Sequence, residues 1–102
     1  MKSRLDSVTG WETLARQVRY SPRLLAEHCE VSLRHLERYC RERFQRSLRE
    51  YLKEAALNHA KVLLRNGSPV KEVAWQVGYS APEHFSRDFK QHHGVSPTDW
   101  RA

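Results

Sequence analysis

The chain repeats itself on either side of a long central stretch, and this repeat constrains the fold more than any other feature. The offset between the two copies is 48 residues at Ala26 and Ala74, and 49 residues from Leu36 and Phe85 onward. The second copy therefore has one extra residue near its turn. Each copy has the pattern of a helix, a short turn and a second helix, with a small alanine where the first helix crosses the second. The sequence predicts the helix-turn-helix motif twice.

The turns of the two copies differ at the position that is glutamate in the first copy and glycine in the second. Gly78 occupies the turn of the second copy and adopts a positive φ without strain, whereas Glu30 in the first copy must tolerate or avoid that conformation.

Helix-start signals occur at seven places along the chain. A Ser or Thr followed by an acidic residue three positions later predicts a capping box, and a Ser before Pro predicts a helix with Pro at its first position. The capping-box patterns begin at Thr9, Ser47 and Ser80, the Ser-Pro pairs at Ser21, Ser68 and Ser96, and Ser32 is a single N-cap candidate. Between these starts the apolar residues fall at helical spacing, and no segment alternates as a strand would.

The longest helical pattern runs from Ser47 to Arg65 and stops at Asn66-Gly67, a natural C-terminal signal. We therefore predict an all-α fold of about seven helices, with two helix-turn-helix subdomains, a homeodomain-like pair, joined by a long central helix. The predicted organisation is an N-terminal extension over 1–10, a first subdomain over 11–52, a linker helix over 47–66 and a second subdomain over 67–102.

Length and composition exclude several classes of protein. The 102 residues suit one small domain or a joined pair, and the longest apolar runs of two or three residues are too short for a membrane span. We expect a cytoplasmic protein with no membrane association. Cys29 and Cys40 match no zinc spacing, so they are expected to be reduced, structural thiols. The histidines and carboxylates form no recognisable catalytic or metal motif, so we expect neither an enzyme nor a metal site.

The charge points to a polyanionic partner. Lys and Arg number 18 against 12 Asp and Glu, which leaves a net charge of +6. The excess is concentrated in the first copy, where all the basic residues from Ser32 to Arg49 are arginines. Arginine can hold a phosphate or a guanine through two parallel hydrogen bonds, which lysine cannot do.

The second copy carries a specific resemblance to a known family. The residues that carry it are Glu72-Val73-Ala74-Trp75-Gln76-Val77-Gly78-Tyr79, Phe85-Ser86-Arg87-Asp88-Phe89-Lys90, Gly94-Val95-Ser96-Pro97 and Trp100-Arg101. At this spacing the segment closely resembles the C-terminal signature of the AraC/XylS family of bacterial transcription regulators, and a weaker match extends over residues 11–101. The resemblance implies that each subdomain presents one recognition helix to successive major grooves of double-stranded DNA. It also implies transcription activation through RNA polymerase, without a cofactor.

In the first copy, the polar residues of the second helix share one face. Arg34, Glu37, Arg38 and Arg41 are spaced at i, i+3, i+4 and i+7, which places them on the side of the helix opposite the apolar residues. Similarity to the family assigns base contacts to Arg34, Glu37 and Arg38, and phosphate contacts are expected from Ser32, Arg41, Arg46 and Arg49. The simpler alternative is that this arginine-rich face is only solvated.

In the second copy, the corresponding helix is less basic. We expect base contacts from Glu83, His84 and Arg87, and phosphate contacts from Ser80 and Lys90. Glu83 has two interpretations, since the family alignment gives it a base contact while its spacing from Ser80 makes it the closing acid of a capping box. His84 is either a DNA contact or a neutral surface residue.

Three residues of the first copy depart from the family pattern. Gln45 stands where a glycine ends the helix, Leu48 where the second copy has Pro97, and Cys40 where a large aromatic is usual. Because Cys40 is small, Trp11, Tyr39 or Phe44 must fill the space beneath the helix or leave a costly cavity.

The two expected recognition helices carry different base-contacting residues, so we predict a non-palindromic DNA site. We expect a single chain to bind this site as a monomer, if this is the full chain. From the length we expect at most about ten N-terminal residues to lie outside the DNA-binding unit, and no effector-binding or dimerisation domain of the kind that many members of the family carry. The alternative function is a helical protein-interaction module on the same scaffold, without specific DNA binding.

Overall fold

A computed structural model describes residues 4–101 of the chain. Within that range the chain forms seven α-helices and one short 3-10 helix, with no strand. The 3-10 helix covers Arg4–Ser7, and the α-helices are α1 Trp11–Gln17, α2 Pro22–His28, α3 Leu33–Phe44, α4 Leu48–Arg65, α5 Val70–Gln76, α6 Pro82–His93 and α7 Pro97–Arg101. The predicted all-α class is confirmed.

The chain divides into two compact units between Lys53 and Glu54, within α4. In the first unit α2 packs against α3, and in the second α5 packs against α6, which also contacts α7. Each unit therefore contains one copy of the repeat. Residues 1–3 of the predicted N-terminal extension and residue 102 of the predicted second subdomain lie outside the described part of the chain.

Each unit has its own apolar interior. The first is built from Leu5, Ala15, Leu25, Ala26, Cys29, Leu36, Cys40, Leu48 and Leu52. In the second, the buried apolar residues are Ala56, Leu57, Ala60, Leu64, Val73, Ala74, Val77, Phe85 and Phe89. No charged or polar residue of the described range is buried, so every ionisable group of the candidate site lies at the surface.

Four of the predicted helix starts are formed as expected. The hydroxyls of Ser21 and Ser32 accept hydrogen bonds from the amides of residues 24 and 35, at 3.3 and 3.0 Å. Ser47 and Glu50 form a reciprocal capping box, in which each side chain accepts from the other residue's amide. Ser96 accepts from the amide of residue 99 at 3.1 Å. Each of these bonds satisfies an amide that the first turn of a helix leaves without a partner.

Three predicted caps are wrong by one residue. α1 is preceded by Gly10 in a left-handed conformation instead of by Thr9, and α5 has Pro69 itself at the N-cap instead of at the first helical position. α6 has Ala81 at its N-cap, with no side-chain bond, so the capping box predicted at Ser80 is not the start of this helix. Glu83 is therefore not the closing acid of a capped turn.

The position of the extra residue explains the missing cap. α2 and α5 are related by 48 residues at both ends, whereas α3 and α6 are related by 49. The amides of Val31 and Tyr79 make equivalent bonds to the carbonyls of Ala26 and Ala74, at 3.1 and 2.9 Å. Since the offset is still 48 at these residues and 49 at the N-caps, Ser80 is the extra residue. Its hydroxyl is displaced from the place that Ser32 occupies in the first copy.

The N-terminal extension contributes to the interior of the first unit. Leu5 lies in the 3-10 helix and is fully buried in that unit's core. The sequence predicts residues 1–10 as an extension outside the first subdomain, because a single leucine in a short polar segment shows no helical periodicity.

Candidate nucleic-acid interface

The first recognition-helix candidate is α3, and its two faces differ sharply. Leu36 and Cys40 are buried against the core, and Tyr39 and Phe44 are partly buried beside it. The opposite face presents only exposed charged side chains, namely Arg34, Glu37, Arg38 and Arg41. The predicted amphipathic pattern thus places all four of these residues in contact with solvent.

These four side chains line one groove. It has a volume of about 430 Å³, and its other lining residues are Ser47, Leu48 and Arg49 at the start of α4. Arg49 was predicted as a phosphate contact, so the groove brings together five of the predicted site residues. Four of the five are arginines around a single carboxylate, an arrangement suited to a polyanion. Ser32 and Arg46 are exposed but do not line this groove.

The capping box at Ser47 fixes the start of α4 beside this arginine cluster. The pKa of Glu50 lies below its usual value, first because the Ser47 hydroxyl and amide are hydrogen-bonded to it, and further because Arg41 and Arg46 are positively charged. The cap and these two arginines therefore both favour the charged form of the Glu50 carboxylate. The sequence indicated the cap but not its electrostatic role.

The second recognition-helix candidate is α6, which has the same length as α3. Phe85 and Phe89 are fully buried. The predicted DNA contacts of this copy are all exposed, in the helix and in the turn before it: Ser80, Glu83, His84, Arg87 and Lys90. With two basic and two acidic residues, α6 has none of the charge excess of α3, which has four arginines and two glutamates.

Arg87 lies beside a carboxylate of its own helix. Its Nε lies 3.5 Å from Oδ1 of Asp88, while its side chain remains 62% exposed. Asp88 in turn accepts a hydrogen bond of 2.8 Å from the Tyr79 hydroxyl. Sequence reasoning assigned no role to Tyr79 or Asp88 beyond the family signature, since their contact joins a turn to a helix nine residues away.

A second groove, of about 530 Å³, lies within the second unit and was not predicted. It is lined by Asn58, Lys61, Val62, Arg65, Asn66 and Trp100. The cations of Lys61 and Arg65 lie 4.4 and 4.8 Å from the Trp100 ring centroid, and the indole N–H donates to the Lys61 carbonyl at 3.2 Å. The sequence feature that could have indicated this groove is the pair Lys61 and Arg65, two cations four residues apart at the end of α4. Their contacts stabilise the packing of α7 on that end of α4.

The described residues contain no group of three or more His, Cys, Asp or Glu arranged to hold a metal ion. Cys29 and Cys40 are both buried and unpaired with each other as a disulfide. Burial raises the pKa of both thiols. Across residues 4–101, no helix combines the length and the apolar character needed to cross a membrane.

Known proteins similar in sequence to this chain are helix-turn-helix transcription regulators. A family model described as a helix-turn-helix domain matches residues 25–102. The chain is 37% identical to the transcriptional regulator GlxA of Rhizobium meliloti over 79 residues, which cover 76% of this chain and 24% of GlxA. It is 31% identical to the transcriptional activator RhaS of Escherichia coli (strain SE11) over 102 residues, which cover 97% of this chain and 36% of RhaS.

Solved structures agree with the sequence comparison. A transcriptional regulator of Chromobacterium violaceum with an AraC-type DNA-binding domain superposes with a TM-score of 0.73 at 26% identity, over 87% of this chain and 83% of that one. The C-terminal domain of AraT, a response regulator from Geobacillus stearothermophilus, superposes with a TM-score of 0.73 at 28% identity, over 93% and 86%.

The chain belongs to the AraC/XylS family. The helix-turn-helix match starts within α2 and runs through α7, so it covers both copies of the repeat. The fold is that of AraC-type DNA-binding domains, as the resemblance implied. GlxA and RhaS are named as a transcriptional regulator and a transcriptional activator, in agreement with the expectation that the chain is not an enzyme. The chain spans about a quarter to a third of the length of these curated relatives.

Proposed function

We propose that this chain binds double-stranded DNA sequence-specifically, with α3 and α6 each entering a major groove, and thereby regulates bacterial transcription. The observation that carries the proposal is the groove of α3, where Arg34, Glu37, Arg38 and Arg41 project together from a helix whose other face is buried. An α-helix with such a polar face fits the major groove, the groove in which all four base pairs can be distinguished.

The residues of this interface have different roles in the proposal. Arg34, Arg38 and Arg87 contact guanine O6 and N7, Glu37 and Glu83 accept from cytosine N4, and His84 contacts a base edge beside them. Contacts to phosphate, which set the register of the protein without selecting a sequence, come from Ser32, Arg41, Arg46, Arg49, Ser80 and Lys90. All twelve side chains are exposed, which supports this assignment.

The decisive experiment is selection of bound sequences from a random DNA pool, followed by binding of the selected site at several salt concentrations. Four of the six phosphate contacts are cations, so log K should fall with log salt at a slope of about −3.6. The selected site should exceed random DNA in affinity by at least about a thousandfold. A shallow slope with no preferred sequence would instead support a helical protein-interaction module.

We also propose that the chain binds its site as a monomer, because the two helices carry different polar residues and therefore require different half-sites. Sedimentation of the protein with the selected DNA should give one chain per site. A second chain on the same site would contradict the monomer proposal.

We propose further that the bound protein acts on RNA polymerase at a promoter. The similarity to RhaS, which is named a transcriptional activator, supports this step. In vitro transcription from a promoter with the selected site upstream tests it, with a scrambled site as the control. Equal transcript levels from the two templates would contradict the proposal.

A further inference from the structure

Tyr79, Asp88 and Arg87 form a connected chain of polar contacts in the second unit. The Tyr79 hydroxyl donates to Oδ2 of Asp88 at 2.8 Å, and Oδ1 of the same carboxylate lies 3.5 Å from Nε of Arg87. The side chain of Asp88 is only 13% exposed, whereas that of Arg87 is 62% exposed. The contacts thus run from a partly buried phenol to an exposed guanidinium.

The phenol is held in a fixed position by its ring. Tyr79 packs edge-on against Phe85, with ring centroids 5.5 Å apart, and Phe85 is fully buried. Burial of Tyr79, its hydrogen bond to Asp88 and the charge of that carboxylate all raise the pKa of the phenol. The hydroxyl therefore remains protonated at neutral pH and donates to Oδ2 of Asp88, while Oδ1 of the same carboxylate lies toward Arg87.

The carboxylate of Asp88 approaches Arg87 at Nε, so the two terminal Nη atoms remain available for a base. A guanidinium has five N–H donors in a planar fork, and Asp88 lies beside the Nε donor. The terminal Nη donors can still form the two parallel hydrogen bonds to guanine O6 and N7. A carboxylate held at Nε restricts the rotamers of the side chain before DNA arrives, so less conformational entropy is lost on binding.

The first copy lacks this arrangement. With the offset of 49 residues, Tyr39 stands at the position of Asp88, and with the offset of 48, Val31 stands at the position of Tyr79. Tyr39 packs against the Trp11 ring instead, at a centroid distance of 5.9 Å. Arg38 therefore has no carboxylate at the next residue, although it occupies the position equivalent to Arg87.

We propose that Asp88, held by the Tyr79 hydroxyl, is a positioning residue that orients Arg87 for base contact and so determines specificity in the half-site of α6. The inference rests on the proposed function, since it requires Arg87 to contact a base. It goes further by assigning a specificity role to two residues that do not themselves contact DNA, in one copy of the repeat only.

The test measures base discrimination by the full chain on its selected site. Affinities are measured for the selected site and for every single base-pair change, with Asp88→Asn, Tyr79→Phe and Arg87→Ala. Asp99→Asn in α7 is the matched control, because it removes the same charge from the same unit without touching Arg87. Thermal unfolding of each variant monitors stability.

Arg87→Ala should reduce discrimination at one or two base pairs of the α6 half-site by about tenfold or more. Asp88→Asn should reduce it at the same base pairs by about three- to fivefold, and Tyr79→Phe by about twofold, since an oriented group is only partly lost. Discrimination in the α3 half-site should be unchanged. In an Arg87→Ala background, Asp88→Asn should have no further effect at those base pairs.

Several results would overturn the inference. The inference is wrong if Asp88→Asn leaves all discrimination intact, weakens binding to every sequence in parallel as a stability defect would, or acts equally strongly without Arg87. If Asp88→Asn does not fold, Tyr79→Phe decides the question, because it removes one hydroxyl and keeps the ring. A wild-type chain with no sequence preference would overturn the proposed function as well, whereas preference without any effect of Arg87→Ala would overturn this inference alone.

Discussion

The two copies of the repeat solve the same structural problem with different residues. α3 and α6 have equal lengths and equivalent ends, yet Phe85 and Phe89 under α6 are replaced by Leu36 and Cys40 under α3. In the first unit the aromatic volume lies nearby instead, where Phe44 stacks on Tyr51 at 4.7 Å and Trp11 contacts Phe44 at 6.3 Å. The backbone pattern of a helix-turn-helix thus tolerates a redistribution of core volume, provided that the total volume is conserved.

The polar faces of the two helices differ in a related way. The arginines of α3 line a groove around the single carboxylate of Glu37, whereas α6 has a balanced charge and an arginine that lies beside a carboxylate. A charge excess favours affinity and fast association, while an oriented side chain favours discrimination. We therefore expect the first copy to contribute more of the affinity and the second to depend more on a defined side-chain geometry.

The largest expected effect tests the difference between the cores. Phe89→Cys places in the second copy the residue type of the first. It should lower the free energy of unfolding by about 3 kcal/mol, because Phe89 is fully buried against the rings of Phe85 and His93 and its loss leaves a cavity there. Urea denaturation followed by circular dichroism measures it.

The reciprocal change, Cys40→Phe, should also destabilise, by about 1 to 3 kcal/mol, since the space beside Cys40 is already filled. A gain in stability would instead reveal a cavity under α3.

The next effect separates the two recognition-helix candidates. Arg38→Ala and Arg87→Ala should each weaken binding to the selected site by about 1 to 3 kcal/mol and relax specificity in different halves of it. Competition binding with half-site variants provides the measurement. Equal losses on random DNA would reassign both arginines to phosphates, and an effect of Arg38→Ala alone would make α6 a supporting element.

A smaller effect concerns the backbone of the turns. Glu30 has a φ of 57°, in the left-handed region, where Gly78 has 92°. Glu30→Gly should therefore stabilise the first unit, and Gly78→Ala should destabilise the second, each by about 1 kcal/mol. The difference in urea midpoint between each variant and wild type measures this. A loss of stability in Glu30→Gly would show that the side-chain interactions of Glu30 outweigh the strain.

The two helix ends refine the same comparison. Gln45 and Gly94 both adopt positive φ, at 56° and 81°, but the Gln45 side chain donates to the Glu42 carbonyl at 2.8 Å. Gln45→Gly should accordingly change stability by less than about 0.5 kcal/mol, because relief of strain is offset by a lost hydrogen bond. A gain as large as that of Glu30→Gly would show that this hydrogen bond contributes nothing.

The smallest effect is a pH dependence confined to the second unit, where His93 stands at the position of Phe44. Burial lowers the pKa of His93, and its Nε2 donates to the Leu57 carbonyl at 3.0 Å. Because the unfolded chain binds this proton more tightly, the contribution of His93 is present above the unfolded pKa of about 6.5 and is lost as pH falls through and below it.

His93→Phe should accordingly reduce the loss of stability between pH 7.5 and pH 5, measured as the shift in urea midpoint. Exposed His84, changed to Phe, is the control and should leave the pH dependence as it is in wild type. Identical pH profiles for wild type and His93→Phe would contradict the assignment.

The extent of sequence-based prediction differs between local and non-local features. Ser21, Ser32, Ser47 and Ser96 were correctly predicted as caps, since a hydroxyl and an amide three residues away interact within a single turn. The cap predicted at Ser80 was wrong although the capping-box pattern is present, because Ser80 is the extra residue of the second copy and lies between Tyr79 and the N-cap Ala81. Only the hydrogen bonds of the turn, fixed by packing of α5 on α6, identify which residue is extra.

The sequence by itself determined the all-α class, the repeat and the polar faces of α3 and α6, because helical periodicity and capping are encoded in residues within two turns of each other. Tertiary structure alone decided that Leu5 completes a core, that Glu30 takes a left-handed conformation and that Asp88 links Tyr79 to Arg87. These features depend on contacts between separate elements, and the energy that maintains them comes from burial of the surrounding apolar residues, which no local pattern records.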